Sequence, residues 1–396
     1  MTDHVLPAGY RFSAVASGIK KSKKPDMALI VSDCAASCAG VFTRNQVIAA
    51  PLVVTRPRIA TGRCQAILVN SGNANACTGP EGIQCAEQTV ALTAAALGIE
   101  KDLVAVSSTG VIGVPLPLPP FERSIPQLVA ELQPGSAEAV ARAMMTTDAF
   151  TKIAGAKESG DNPYGILGIA KGAGMIHPDM ATMLCFVLTD ARIDSDFLQE
   201  LLHRAVADSF NSITVDGDTS TNDTVLVLAN GAAGGNLICP GTAAAAVFAD
   251  HLNRVMLDLA KMIVSDGEGA TKMVQIRVIG AKDVDDARAA ARSVATSSLV
   301  KTAFFGEDAN WGRIIAAVGY SGITLDQDRI DISFDSIPIV ASGVAIGPEH
   351  EAQAGNVLKK ETFVVTINLH LGEGEASYYT SDLNYDYVKI NADYRT

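Results

Sequence analysis

The sequence predicts a mixed α/β protein of layered sheets and helices, on three observations. Apolar runs too short for helices, such as Ala66-Ile67-Leu68-Val69 and Leu103 to Val106, alternate with longer stretches of helical period. Hydrophobic residues make up 48% of the 396 residues and charged ones 19%, enough to fill a sizeable core and far from the composition of a disordered chain. At about 150 residues per domain, the length suggests two or three folding units.

In order along the chain, Ala66 to Val69 reads as a buried strand, followed by the turn-rich Asn70-Ser71-Gly72-Asn73 and an Ala-rich helix from Glu81 to Leu97. Leu103 to Val106 repeats the strand pattern and runs into Ser107-Ser108-Thr109-Gly110. Val114-Pro115-Leu116-Pro117-Leu118-Pro119-Pro120 fits neither a helix nor a central strand, so it is read as a stiff loop that steadies the preceding turn. Met183 to Leu188 is a continuous apolar run, the pattern of a strand buried on both faces. Asp194 caps a helix whose Leu198, Leu201, Leu202 and Ala205 share one face, and Phe248, Leu252, Val255, Met256, Leu259 and Ile263 mark another. Val274, Ile276 and Val278, then Val365, Ile367, Leu369 and Leu371, alternate with polar residues as half-exposed strands do, which makes His370 a solvent-facing strand residue.

Composition excludes several functions. Forty-three acidic against 31 basic side chains leave a net charge of −12, against the needs of a nucleic-acid binder. The run Lys20-Lys21-Ser22-Lys23-Lys24 reads as a solvated loop. No apolar stretch reaches the ~20 residues of a membrane span, and Met1 to Gly18 has no continuous apolar core of the kind a secretory leader needs. A cytoplasmic location is therefore expected, with the seven scattered cysteines as reduced thiols. Six scattered histidines and the Asp216-Gly217-Asp218 turn lack metal-ligand spacing, and neither a metal nor a cofactor is expected.

The chemistry points to Lys171-Gly172-Ala173-Gly174-Met175-Ile176-His177-Pro178-Asp179-Met180-Ala181-Thr182-Met183-Leu184. A glycine-rich loop ends there at Thr182, at the mouth of a buried strand. A threonine hydroxyl is inert at neutral pH without a base beside it; cutting the preceding peptide bond frees an α-amine that serves as one. His177, on a Pro-containing loop, is read as bonding locally and is given no role.

This segment resembles the cleavage-site motif of the ArgJ family, the ornithine acetyltransferases or glutamate N-acetyltransferases. Similar strings run through the chain: Ala39 to Asn45, Val69 to Gly79, Ser108 to Gly113, Met145 to Asp148, Thr214 to Asp223, Asp266 to Lys272, Asp308 to Arg313 and Asn391 to Thr396. The resemblance implies an ArgJ/DmpA-like sandwich of sheets covered by helices, and self-cleavage between Ala181 and Thr182 into an α chain, 1–181, and a β chain, 182–396. It makes Thr182 the nucleophile, and the Thr109 hydroxyl and Gly110 amide the oxyanion hole. Thr146, Thr147, Lys171, Thr182, Glu268, Asn391 and Thr396 become substrate contacts, with Lys171 for an α-carboxylate and Glu268 for the ornithine amine. The implied reaction moves acetyl from N2-acetyl-L-ornithine to L-glutamate through acetyl-Thr182 in arginine biosynthesis. Acetyl-CoA is a further donor in some members, and the implied assembly is a heterotetramer of two α and two β chains. A self-cleaving aminopeptidase or amidase of the related fold is the alternative; charged contacts at Lys171 and Glu268 suit a free amino acid better than a peptide.

Overall fold

The computed structural model describes residues 5–177 and 183–393, which divide into two compact units. The first comprises 1–172, 179–211 and 219–263; the second comprises 173–178, 212–218 and 264–396. Each therefore draws on sequence from both sides of position 181.

The first unit is built on a sheet in the order Val104–Val111, Arg63–Asn73, Met27–Phe42, Thr224–Ala229, Leu184–Thr189, Tyr164–Lys171, Lys152–Glu158, with Tyr10–Val15 pairing against Met27–Phe42. Its central strands are buried on both faces, which is why their sequences read as unbroken apolar runs. In Met27–Phe42, Ala28 and Ile30 join one core layer, with Val140 and Met144 of the helix Ala137–Met144. Met27, Leu29 and Val31 join the other, with Val90 of Gly79–Leu97 and Phe121 of Pro119–Ala130. The helix Ala243–Ser265 lies against the sheet at Gly168, where a Cβ would stand 2.6 Å from Leu259 Cδ1.

Two expectations change here. The proline run is not loop throughout, because Pro119 and Pro120 open the helix Pro119–Ala130, where a missing N–H and a preset φ cost nothing. The rest is anchored to the neighbouring strand end: the Asn73 amide donates to the Val114 and Pro115 carbonyls at 3.1 and 3.2 Å.

The second unit holds a sheet in the order Val344–Ala345, Ile337–Ala341, Asp331–Phe334, Thr362–Asn368, Met273–Ala281, Gly374–Ser381, Ile213–Thr214. The helices Val284–Thr296, Ser298–Phe305, Trp311–Gly319 and Pro348–Val357 share a core with its apolar face, with Val278, Ala291, Phe304 and Phe363 among its residues. Val274, Ile276 and Val278 point inward as their alternation predicts. His370 lies beyond the end of Thr362–Asn368 at φ +52°, its Nε2 2.7 Å from Asp331 Oδ2. The alternating pattern continues through it, but the strand does not.

Asp194 caps Ser195–Ala207 as expected, accepting from the Asp196 amide. Phe186, fully buried in a strand flanked on both sides, is the sharper probe of the first unit's core. Phe186→Ala should lower unfolding free energy by ~3–5 kcal/mol in urea titration.

Candidate active site

In the first unit the site grows from buried ions. Lys171 ends the strand Tyr164–Lys171, nearly enclosed, and its Nζ donates to Thr146 Oγ1 at 2.8 Å and Thr109 Oγ1 at 3.4 Å. A lysine has donors only, so Thr109 Oγ1 accepts from it and keeps its own proton to give elsewhere. Of the adjacent pair Thr146 and Thr147, Thr146 makes this bond.

Asp148 organises the group. Its Oδ1 accepts from Lys152 Nζ at 2.8 Å and the Gly172 amide at 2.7 Å; its Oδ2 accepts from the Thr146 amide at 2.9 Å and lies 3.9 Å from Lys171 Nζ. The side chains of Asp148 and Lys152 are both fully enclosed. Burial alone would raise the Asp148 carboxyl, but the ammonium groups of Lys171 and Lys152 outweigh it and hold the group well below the usual carboxylate range.

Lys20 corrects the reading of its basic run. Lys21, Lys23 and Lys24 are exposed, whereas Lys20 packs against Gly72 and donates to the Met145, Pro25 and Ala143 carbonyls at 2.7, 3.3 and 3.4 Å. Its burial, with Lys171 nearby, pushes its amine down to about 8 despite Asp26.

Thr109 and Gly110 sit at the end of Val104–Val111, in parallel register with Asn70 to Asn73, which the sequence reads as a turn but which continues the strand Arg63–Asn73. Gly110 has φ +130°, and a Cβ there would stand 2.4 Å from the Gly72 carbonyl carbon, so the position requires glycine. Buried amides and hydroxyls fix these strand ends: Ser108 Oγ donates to Asn70 Oδ1 at 2.6 Å, and Asn222 Nδ2 to the Ala74 and Ser108 carbonyls at 2.7 and 2.9 Å.

In the second unit, Glu268 is buried between two glycines. Its amide donates to the Ala173 carbonyl at 2.9 Å, and its Oε2 accepts from Asn391 Nδ2 at 2.8 Å. A Cβ on Gly174 would lie 2.4 Å from that carboxylate, so the glycine-rich loop makes the room that Glu268 occupies. Asp216 Oδ1 and Oδ2 accept the Ile176 and Met175 amides at 2.9 and 2.6 Å, which makes it a loop clamp. Among the described residues no group of three or more His, Cys, Asp or Glu side chains is placed to hold a metal ion.

His177 bonds locally. Arg292 Nη2 is 2.9 Å from its Nε2, and since arginine only donates, that nitrogen carries the lone pair and Nδ1 carries the proton, 3.4 Å from Thr214 Oγ1. The lone pair a general base needs is already engaged. Ala181, Thr182 and Thr396 lie outside the described residues.

Buried charged groups held by hydroxyls and amides at the ends of sheet strands define an α/β enzyme that handles small charged molecules. The chain belongs to the ArgJ family, whose model matches residues 11–396. The arginine biosynthesis bifunctional protein ArgJ of Syntrophotalea carbinolica is 61% identical over 389 residues, 98% of this chain and 99% of that protein. Its namesake in Geobacter sulfurreducens is 54% identical, with the same shares covered. The crystal structure of the arginine biosynthesis bifunctional protein ArgJ of Bacillus halodurans matches with TM-score 0.51 and 43% identity, over 52% of this chain and 97% of the solved one.

Lys152→Met leaves Asp148 short of its nearest ionic partner and should cost ~3–5 kcal/mol of stability in urea titration. Because the folded carboxyl is held low, Asp148 stabilises the fold fully above about pH 4, the unfolded value, and loses this as pH falls further. Thermal melts of the wild type should fall in that acid window, and Asp148→Asn should lack this component of the fall.

Proposed function

We propose that this protein transfers the acetyl group of N2-acetyl-L-ornithine to L-glutamate, giving L-ornithine and N-acetyl-L-glutamate in arginine biosynthesis. Membership of the ArgJ family, with 61% identity to a relative across 98% of the chain, carries this reading. The precursor cuts itself between Ala181 and Thr182. In support, 52% of this chain accounts for 97% of the solved Bacillus halodurans chain, the proportion expected of half a divided precursor.

The freed Thr182 amine takes the hydroxyl proton as Thr182 attacks the acetyl carbonyl, and returns it to the departing ornithine amine. The Thr109 hydroxyl, whose proton Lys171 leaves free, and the Gly110 amide hold the developing oxyanion. Lys171 receives an α-carboxylate, with Thr146 or Thr147 beside it; Glu268, held by Asn391, pairs with the ornithine amine, and Thr396 completes the polar contacts. The acetyl group rests on Thr182 as an ester until glutamate collects it. Acetyl-CoA is a second donor to the same threonine, two α and two β chains form the assembly, and the cytoplasm is the site of action. No helix among the described residues is long and apolar enough to cross a membrane.

Initial rates should give parallel double-reciprocal lines for acetylornithine and glutamate, as an exchange through a covalent intermediate requires. Thr182→Ala should remain uncut and inactive. Thr109→Ala should lower kcat by ~10²–10³. Acetate release independent of glutamate would instead make the protein an amidase.

A further inference from the structure

The Glu268 carboxylate and the loop that carries it are held from two directions, and one side chain serves both. Glu268 lies in the loop that leads to the strand Met273–Ala281. Its Oε2 meets Asn391 Nδ2, which comes from the helix Tyr385–Ala392. That helix begins after Asn384, a buried residue whose Oδ1 accepts the Asp386 and Tyr387 amides at 3.0 and 3.2 Å. The Nδ2 of the same side chain donates to the carbonyl of Gly269, the residue after Glu268. Gly269, at φ +73°, lies against the same turn of helix, where a Cβ would stand 2.6 Å from the Tyr387 nitrogen. Loop and helix therefore meet with no room for a side chain between them, and Asn384 bonds both.

An amide suits this double task. Its oxygen meets the N–H groups that a first helical turn leaves unpaired, and its NH₂ donates in the other direction. Aspartate caps a helix as well as asparagine does, but it has no donor for a carbonyl, so capping alone does not call for asparagine here. The far end of the loop is fixed separately. Asp382 Oδ1 accepts the Thr271 and Lys272 amides at 2.8 and 2.9 Å, and its Oδ2 accepts from the Thr271 hydroxyl at 2.7 Å. Asp382 follows the strand Gly374–Ser381, whose end Lys301 Nζ holds through Thr380 Oγ1 at 2.8 Å and Ser381 Oγ at 3.2 Å. With that end fixed, the Asn384 bond to Gly269 sets where Glu268 sits relative to Asn391.

We propose that Asn384 is a positioning residue that sets the specificity of the donor step. By tying Gly269 to the start of the helix that carries Asn391, it holds the Glu268 carboxylate where the terminal ammonium group of N2-acetyl-L-ornithine binds. The inference rests on the reading above that Glu268 pairs with this amine. A carboxylate favours a cationic partner through a short, directed, charge-assisted bond, and a small displacement forfeits much of it. Asn384 acts through Glu268 and not by contact with the substrate.

The test compares two donors on the processed enzyme, N2-acetyl-L-ornithine and N2-acetyl-L-norvaline, the same molecule without the terminal amine. The wild type should favour the first in kcat/KM by ~10–10²-fold, the range of one charge-assisted hydrogen bond. Asn384→Asp keeps the cap and lacks the donor to Gly269. It should stay folded at the assay temperature and lose most of that preference through a raised KM for acetylornithine, while kcat/KM for acetylnorvaline stays within ~2-fold of the wild type. Asn384→Ser, which also caps but is too short to serve both partners, should do the same. An unchanged preference in the folded variants overturns the proposal. Equal losses on both donors, or loss of folding or processing in both variants, assign Asn384 to the fold alone and overturn it as well. A wild type without the preference, or a Glu268→Gln enzyme that keeps it, overturns instead the pairing of Glu268 with the donor amine, and thus marks a different failure.

Discussion

The Asp148 carboxylate is the constraint on which the buried charges of the first unit depend. It is enclosed with Lys152, bonds the Thr146 and Gly172 amides, and lies beside Lys171. An ion pair taken out of water is costly unless its remaining hydrogen bonds are met. Here the two amides meet them, one at Thr146 and the other at the start of the glycine-rich loop. Lys171 completes the arrangement by bonding the Thr146 and Thr109 hydroxyls. A single carboxylate thus sets the position of the Lys171 cation and, through that cation, which atoms of the Thr109 hydroxyl remain free to donate.

The sheet makes that arrangement possible. Parallel and antiparallel strands buried on both faces place strand ends together, so that Thr109, Lys171, Met183 and Asp223 all lie at or just beyond strand termini. Backbone polar groups at such ends are no longer used by the ladder and must be bonded otherwise. The amides of Asn70, Asn73 and Asn222 do this around the strand ends at Asn73 and Gly110. The supports of Thr109 and Gly110 are therefore buried and bonded, the arrangement that preorganised hydrogen-bond donors need.

Much of this was legible in the sequence. The strands at Ala66 and Met183, the cap at Asp194 and the inward face of Val274 follow from periodicity and side-chain chemistry alone. The motif strings pointed to Thr109, Lys171 and Glu268, and all three side chains are buried. What was not legible depended on burial. Asp148 and Lys152 stand four apart, a spacing that usually marks a solvated pair, and nothing local says that both are enclosed. Lys20 looked like one of four surface lysines, because the Met145 carbonyl that receives it is remote in sequence. The pattern through His370 continues past the strand because side-chain alternation does not record where the pairing stops.

The central claim is that acetyl passes through Thr182, and the mass of the β chain tests it most directly. The processed protein is incubated with N2-acetyl-L-ornithine in the absence of glutamate, quenched in acid and digested. The account predicts that the peptide beginning at Thr182 is heavier by one acetyl group carried on the hydroxyl oxygen, and that added glutamate removes it and yields N-acetylglutamate. An unmodified Thr182 peptide during sustained turnover, or an acetyl group on another residue that glutamate removes, would contradict it.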